Sequence, residues 1–135
     1  MSLTPAGMQN YRTIKVFSQS AFATGGSLQK VVSAYLAQRL GVWIRLANLV
    51  NAPTFSLKVF DVCPEPANQV TPASTDEVQH GSTITFASAG VKKVDLGLTE
   101  ATPALLANRL DFQGTMSGAG ATADVEVWIE IPTEE

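Results

Sequence analysis

The residues of this 135-residue chain that could do acid–base or nucleophilic chemistry are few and scattered. The single histidine, His80, precedes Gly81 and lies a few positions beyond Asp76 and Glu77. A metal centre needs several converging ligands, and one imidazole beside two acids falls short of that. The expectation is a turn histidine with no special role. The single cysteine, Cys63, has no basic neighbour in sequence to activate its thiol, so a small apolar residue at a strand end is expected rather than a nucleophile. Ser117-Gly118-Ala119-Gly120 has the glycine content of a phosphate loop, but no Lys-Ser/Thr follows and it leads into a strand. Asp124, Glu126 and Glu130 share one face of one strand, whereas a glycosidase holds its two carboxyls across a cleft. One His and one Cys leave a hydrolytic triad little to draw on. The chain therefore reads as no enzyme, with no cofactor and no metal.

Binding chemistry is better represented. Residues 123–131 read A-D-V-E-V-W-I-E-I, with Val125, Val127, Ile129 and Ile131 on one face and Asp124, Glu126, Trp128 and Glu130 on the other. A period of two over nine residues predicts a half-buried antiparallel strand whose outer, acidic row contains one large aromatic. Trp43 and Arg45 share a face of an earlier strand, and Phe60 shares one with Lys58. Tryptophan and arginine concentrate in interface hot spots, which makes Trp128, Trp43, Arg45 and Phe60 candidate partner-binding residues. The competing expectation buries Trp43 and Phe60 under a helix or the longest loop, and Trp128 under the N-terminal segment.

These residues need elements to hold them. Residues 1–10 carry Pro5 and Gly7 without periodicity and read as an extended arm ahead of a single domain, 11–135. A first strand is expected at 11–18, with Ile14 and Val16 opposite Lys15 and Phe17. It is ended by Thr24-Gly25-Gly26-Ser27. Leu28, Val31, Val32, Tyr35, Leu36 and Leu40 recur at helical spacing between a possible N-cap, Ser27, and a C-cap, Gly41. That predicts a short helix at 28–40, with a strand at 31–36 as the alternative. Val42, Ile44, Leu46 and Val50 alternate with polar and aromatic neighbours. Asn51-Ala52-Pro53 turns the chain, and Phe55, Leu57 and Val59 follow, which predicts a hairpin. Residues 64–77, with Pro64, Pro66 and Pro72, form the longest loop, read either as a contact element or as a crossover between sheets. Further strands are expected at 82–87, 91–98 and 105–113, then a flexible connection at 115–122. Seven or eight short strands with Gly/Pro-rich turns predict an all-β fold, an antiparallel β-sandwich.

Composition narrows the partners. A net charge of −3 argues against nucleic acid, because phosphate binding relies on a basic surface. No apolar run approaches the roughly 20 residues of a membrane helix, and residues 1–5 lack the basic-then-apolar pattern of a secretory signal. A single cysteine fits cytosolic synthesis. Low charge with many Ala, Thr, Ser and Gly residues suits a surface covered in an assembly.

A His- and Cys-poor all-β chain with a polar arm, the segment V-W-I-R-L-A-N-L-V-N-A-P-T-F-S-L-K-V-F and a terminal D-V-E-V-W-I-E-I strand resembles the jelly-roll cement, or decoration, proteins that coat the heads of some tailed bacteriophages. The resemblance lies in architecture and includes no fingerprint motif. It implies a jelly-roll-like sandwich of about eight strands and no catalytic residues. It also implies a homo-oligomer, dimer or trimer, made in the host cytoplasm and placed on the outer capsid surface of the virion. There it would bridge major capsid proteins, with the arm and its Leu3 and Pro5 lying along a neighbour. The alternative is a carbohydrate- or receptor-binding sandwich of a virion or tail, with Trp128 and Trp43 as an aromatic platform.

Overall fold

Apolar side chains at every second position can all reach one core only if the strands are layered as two sheets, and that is how the chain is built. The computed structural model describes residues 10–34, 38–98, 100 and 102–133. They contain nine strands: β1 (Asn10–Ala23), β2 (Ser27–Ser33), β3 (Arg39–Val50), β4 (Thr54–Val62), β5 (Glu77–Gln79), β6 (Ile84–Phe86), β7 (Gly90–Gly97), β8 (Arg109–Ser117) and β9 (Thr122–Thr133). One 3₁₀ turn, Ser74–Asp76, precedes β5. The first sheet runs β1-β9-β3-β7, and the second runs β2-β8-β4 with β5 and β6 side by side along the outer edge of β4. All pairings are antiparallel, and they nest: β1 with β9, β2 with β8, β3 with β7, β4 with β5 and β6.

The core is what the alternation predicts. Leu40, Val42, Ile44 and Leu46 of β3 meet Val125, Val127 and Ile129 of β9, and across from them lie Phe55, Leu57 and Val59 of β4 with Leu110 and Phe112 of β8. Each such side chain fully removed from water contributes about 1.5–3 kcal/mol. Gly114 also faces this core, where the Phe55 ring occupies the space a side chain would need: a Cβ would stand 2.8 Å from Phe55 Cζ.

Several expectations are corrected. Over the described part of 28–40 the chain is strand rather than helix: β2 covers Ser27–Ser33 and β3 begins at Arg39. Residues 35–37, with Tyr35 and Leu36, lie outside the described residues. Helical spacing lost to strand pairing because all seven β2 residues find partners on β8, from Ser27↔Thr115 to Ser33↔Arg109. The β3–β4 hairpin is a corner between sheets. Asn51 and Ala52 take left-handed φ of 58° and 52°, and the two strands pair with different partners. A hairpin and an inter-sheet corner both put the alternating apolar rows into one core, so the pattern alone cannot separate them.

Bulges account for the other differences. β1 slips between Lys15 and Phe17, so Val16 and Phe17 are both buried, and it slips again between Gln19 and Phe22. β3 slips between Ala47 and Val50, which turns Leu49 toward the core and leaves Val50 half exposed. The strand expected at 105–113 begins at Arg109, and Leu105 is exposed. Residues 115–117 belong to β8, leaving a short turn at 118–121 closed by Ala121 N–H donating to the Gly118 carbonyl at 3.3 Å.

Candidate functional site

The outer face of the first sheet gathers three of the predicted residues. β3 and β9 are in register with Trp43 directly opposite Trp128, and the same row continues to Lys15 on β1 and Lys93 on β7. Directly opposed residues lie within side-chain reach, so the sheet carries a row Lys15–Trp128–Trp43–Lys93. Each ring has cations over it: Lys15 Nζ at 5.4 Å and Arg45 Cζ at 5.0 Å from the Trp128 centroid, and Lys93 Nζ at 5.7 Å from that of Trp43. Such contacts are worth about 0.5–1 kcal/mol each at exposed sites.

Acids hold this row from both sides. On the next row, Glu126 stands opposite Arg45 and pairs with Lys15 at 3.0 Å and with Arg45 at 3.5 Å. The hydrogen bond from Lys15, aided by the charges of Lys15 and Arg45, keeps the Glu126 carboxyl below its ordinary range. On the other flank the Trp43 indole N–H donates to Glu130, and Lys93 pairs with Asp95 at 3.2 Å. Thr13, Trp43, Arg45, Val91, Trp128 and Glu130 line an open depression of about 410 Å³. A four-stranded sheet with a packed core beneath it backs this platform, whose shallow depression lies open to solvent and could meet another surface.

The other predicted residues do not join it. Phe60 projects from the outer face of the second sheet, on the far side of the sandwich, because β4 is not the neighbour of β3; in register it lies between Asp111 of β8 and Gln79 of β5. Among the described residues no helix covers Trp43. Leu3 and Pro5, with the rest of the expected arm through residue 9, lie outside the described residues, and Asn10 already belongs to β1.

His80 is not an idle turn residue. It is buried, with Nδ1 2.8 Å from Asp61 Oδ2 and Nε2 2.6 Å from Glu100 Oε2. Burial alone would pull its pKa down, but the hydrogen bonds and charges of Glu100 and Asp61 outweigh that and raise it above the ordinary 6.5. A carboxyl oxygen at each ring nitrogen favours the doubly protonated imidazolium, the form that donates from both. Both nitrogens are thereby engaged within the cluster. Asp61 Oδ1 also accepts from Ala107 N–H at 2.9 Å, and Glu100 Oε2 from Gly97 N–H at 2.7 Å, so the cluster ties the segment after β7 to β4. Nothing in the local sequence signals this, because Asp61 and Glu100 stand 19 and 20 residues from His80. Among the described residues, no group of three or more His, Cys, Asp or Glu could hold a metal ion. No protein-family model and no curated protein matches the chain.

Proposed function

We propose that the protein is a non-enzymatic structural component of a phage virion. In this reading it docks on the outside of the capsid and stabilises the shell by bridging major capsid proteins. The observation that carries the reading is the Trp43–Trp128 pair, set side by side on the outer face of a stiff sheet and ringed by charges that balance locally. Aromatic anchors inside a polar rim are the anatomy of a protein–protein contact. The nested strand pairing supports a jelly-roll wrapping, an architecture recurrent in viral capsid proteins and lectins. A cement role works by mass action: a protein that binds only the assembled lattice stabilises that lattice. Association as a dimer or trimer would multiply modest single contacts into avidity.

A second reading, binding of a carbohydrate or receptor glycan, draws on the same adjacency of tryptophans over an open depression. Against it, cations already lie over both rings, and a sugar stacking there would have to displace them.

The test is co-sedimentation of the purified protein with expanded capsids that lack it. The expected result is saturable pelleting at fixed stoichiometry, with capsids that then withstand more heat. Folded protein that stays in the supernatant sinks the cement reading, and binding on a glycan array would then support the second.

A further inference from the structure

β5 is three residues long and lies at the edge of the second sheet. Its backbone is tied to β4 through register pairs Phe60↔Gln79, Asp61↔Val78 and Val62↔Glu77. Just outside it, Cys63 N–H donates to the Asp76 carbonyl at 2.9 Å and His80 N–H to the Val59 carbonyl at 2.7 Å. So few rungs hold a strand weakly, and side chains must do the rest. Each of its ends carries a contact between ionisable side chains.

At the first end, the Glu77 carboxyl reaches that of Asp111 on β8. Asp111 is 0% exposed. Its Oδ2 accepts from Gln29 at 2.8 Å and Gln113 at 2.9 Å, and Gln113 also donates to Glu77 Oε1 at 3.0 Å. That leaves Glu77 Oε2 and Asp111 Oδ1 buried with no donor. The two carboxyls converge on the one Gln113 amide, and as a pair of anions, each with a buried oxygen lacking a donor, they would be costly; a proton shared between them would relieve that cost. The nearby cations are engaged or exposed: Arg109, next on β8, donates to Gln69 and the Pro64 carbonyl, and Lys58 beside Gln113 faces solvent. Asp76 is turned away, accepting from Ala67 N–H. At the second end His80, the residue after β5, is held between Asp61 of β4 and Glu100. Lys92, on the same side of the sheet edge, donates to the Thr85 carbonyl instead.

We propose that β5 is a proton-latched edge strand. Glu77 sharing a proton with Asp111 fastens one end and the His80 imidazolium between Asp61 and Glu100 fastens the other, so that proton loss unfastens both together. The two contacts titrate in the same sense. Burial, then the hydrogen bond and charge of Asp111, push the Glu77 pKa up from 4.5 to about 7, and that of His80 is raised above 6.5. Each group binds its proton more tightly docked than released. The latch is therefore complete at mildly acid pH and is lost as pH rises through these folded values. Release would bare the outer edge of β4 at Phe60–Val62 and free the 63–76 loop that β5 terminates.

The experiment is amide hydrogen exchange on the whole chain, followed from about pH 5.5 to about pH 8.5 with the intrinsic rate divided out. The His80 and Cys63 amides should lose protection by roughly tenfold or more, the factor that one unit of pKa shift is worth, while those of β3 and β9 keep theirs. As the chain has one histidine, its ring ¹⁵N signals are unambiguous and should report an imidazolium at about pH 6. E77Q, whose amide donates to Asp111 without titrating, should reduce the pH dependence at Cys63 and leave the His80 part. Flat protection across the range, or a neutral His80 ring at about pH 6, overturns the proposal. The wild-type measurements decide the matter even if the variant does not fold.

Discussion

Truncating Trp128 or Trp43 to alanine removes a ring that touches both a cross-strand partner and solvent, so two quantities should move by different amounts. Stability should fall by about 0.5–1 kcal/mol for each lost cation contact, read by urea denaturation. In the proposed cement role, attachment to capsids should weaken by roughly thirtyfold, as a hot-spot loss of about 2 kcal/mol implies, read by co-sedimentation. A stability loss with unchanged attachment would return these rings to a purely structural role. The alternation of residues 123–131 put Trp128 on the outer face without difficulty, because a strand assigns faces by parity alone. His80 was illegible for the opposite reason: its two partners reach it from β4 and from the segment after β7, and no local spacing encodes that meeting. Asp61→Ala would leave His80 Nδ1 and Ala107 N–H without their acceptor, costing about 1–3 kcal/mol; equilibrium unfolding at about pH 6 would show it. Over pH, the lowered Asp124 and Glu126 stabilise the fold above their ordinary values of 3.8 and 4.5 and lose that effect as pH falls. The raised Glu77 and His80 lose theirs as pH rises. The midpoint in urea should therefore peak near pH 4.5 and decline on both sides, and a broad plateau through pH 8 would contradict it.

At the level of elements, Asp124 is a clasp between two bulged strands. Its carboxylate accepts from Ala21 N–H at 2.8 Å and from Asn48 Nδ2 at 2.7 Å, and both Ala21 and Asn48 have positive φ, 48° and 53°. One side chain on β9 thus stabilises the slip in β1 on its left and the slip in β3 on its right. Asp124→Ala should lower the melting temperature and speed amide exchange at Ala21, with β2 and β8 unaffected. Gly114→Ala tests the other sheet: its Cβ must displace the buried Phe55 ring, an overpacking worth about 1–3 kcal/mol, visible in the same unfolding assay. Most strands were readable because their apolar residues alternate. Their lengths and slips were not, since a bulge is fixed by what the neighbouring strand offers. β2 shows a stronger failure: its leucine and valines fit a helix equally well, and only the partner strand β8, some 80 residues away, decides between them. The corner at Asn51–Ala52 likewise has the sequence of a hairpin, because both geometries place the same residues in the core.

For the whole molecule, nesting means that the first strand waits for the last. β1 cannot pair until β9 exists, and β2 and β8 are nearly as far apart in sequence. Pairings of such long range are slow to find, so refolding should take milliseconds to seconds rather than microseconds, followed by stopped-flow tryptophan fluorescence. The nest also sets how the molecule would bear a load. Asn10 faces Thr133 at the mouth of the β1–β9 ladder, so tension applied through the two chain ends falls on one rung at a time and peels the strands like a zipper. Tension that pulled β1 and β9 past each other, along the strands from opposite ends of the ladder, would have to break many rungs at once. A single-molecule pull from the ends should therefore open the sandwich at low force. A shell relying on this protein against internal pressure would do well to grip it by its tryptophan face and leave the ends slack.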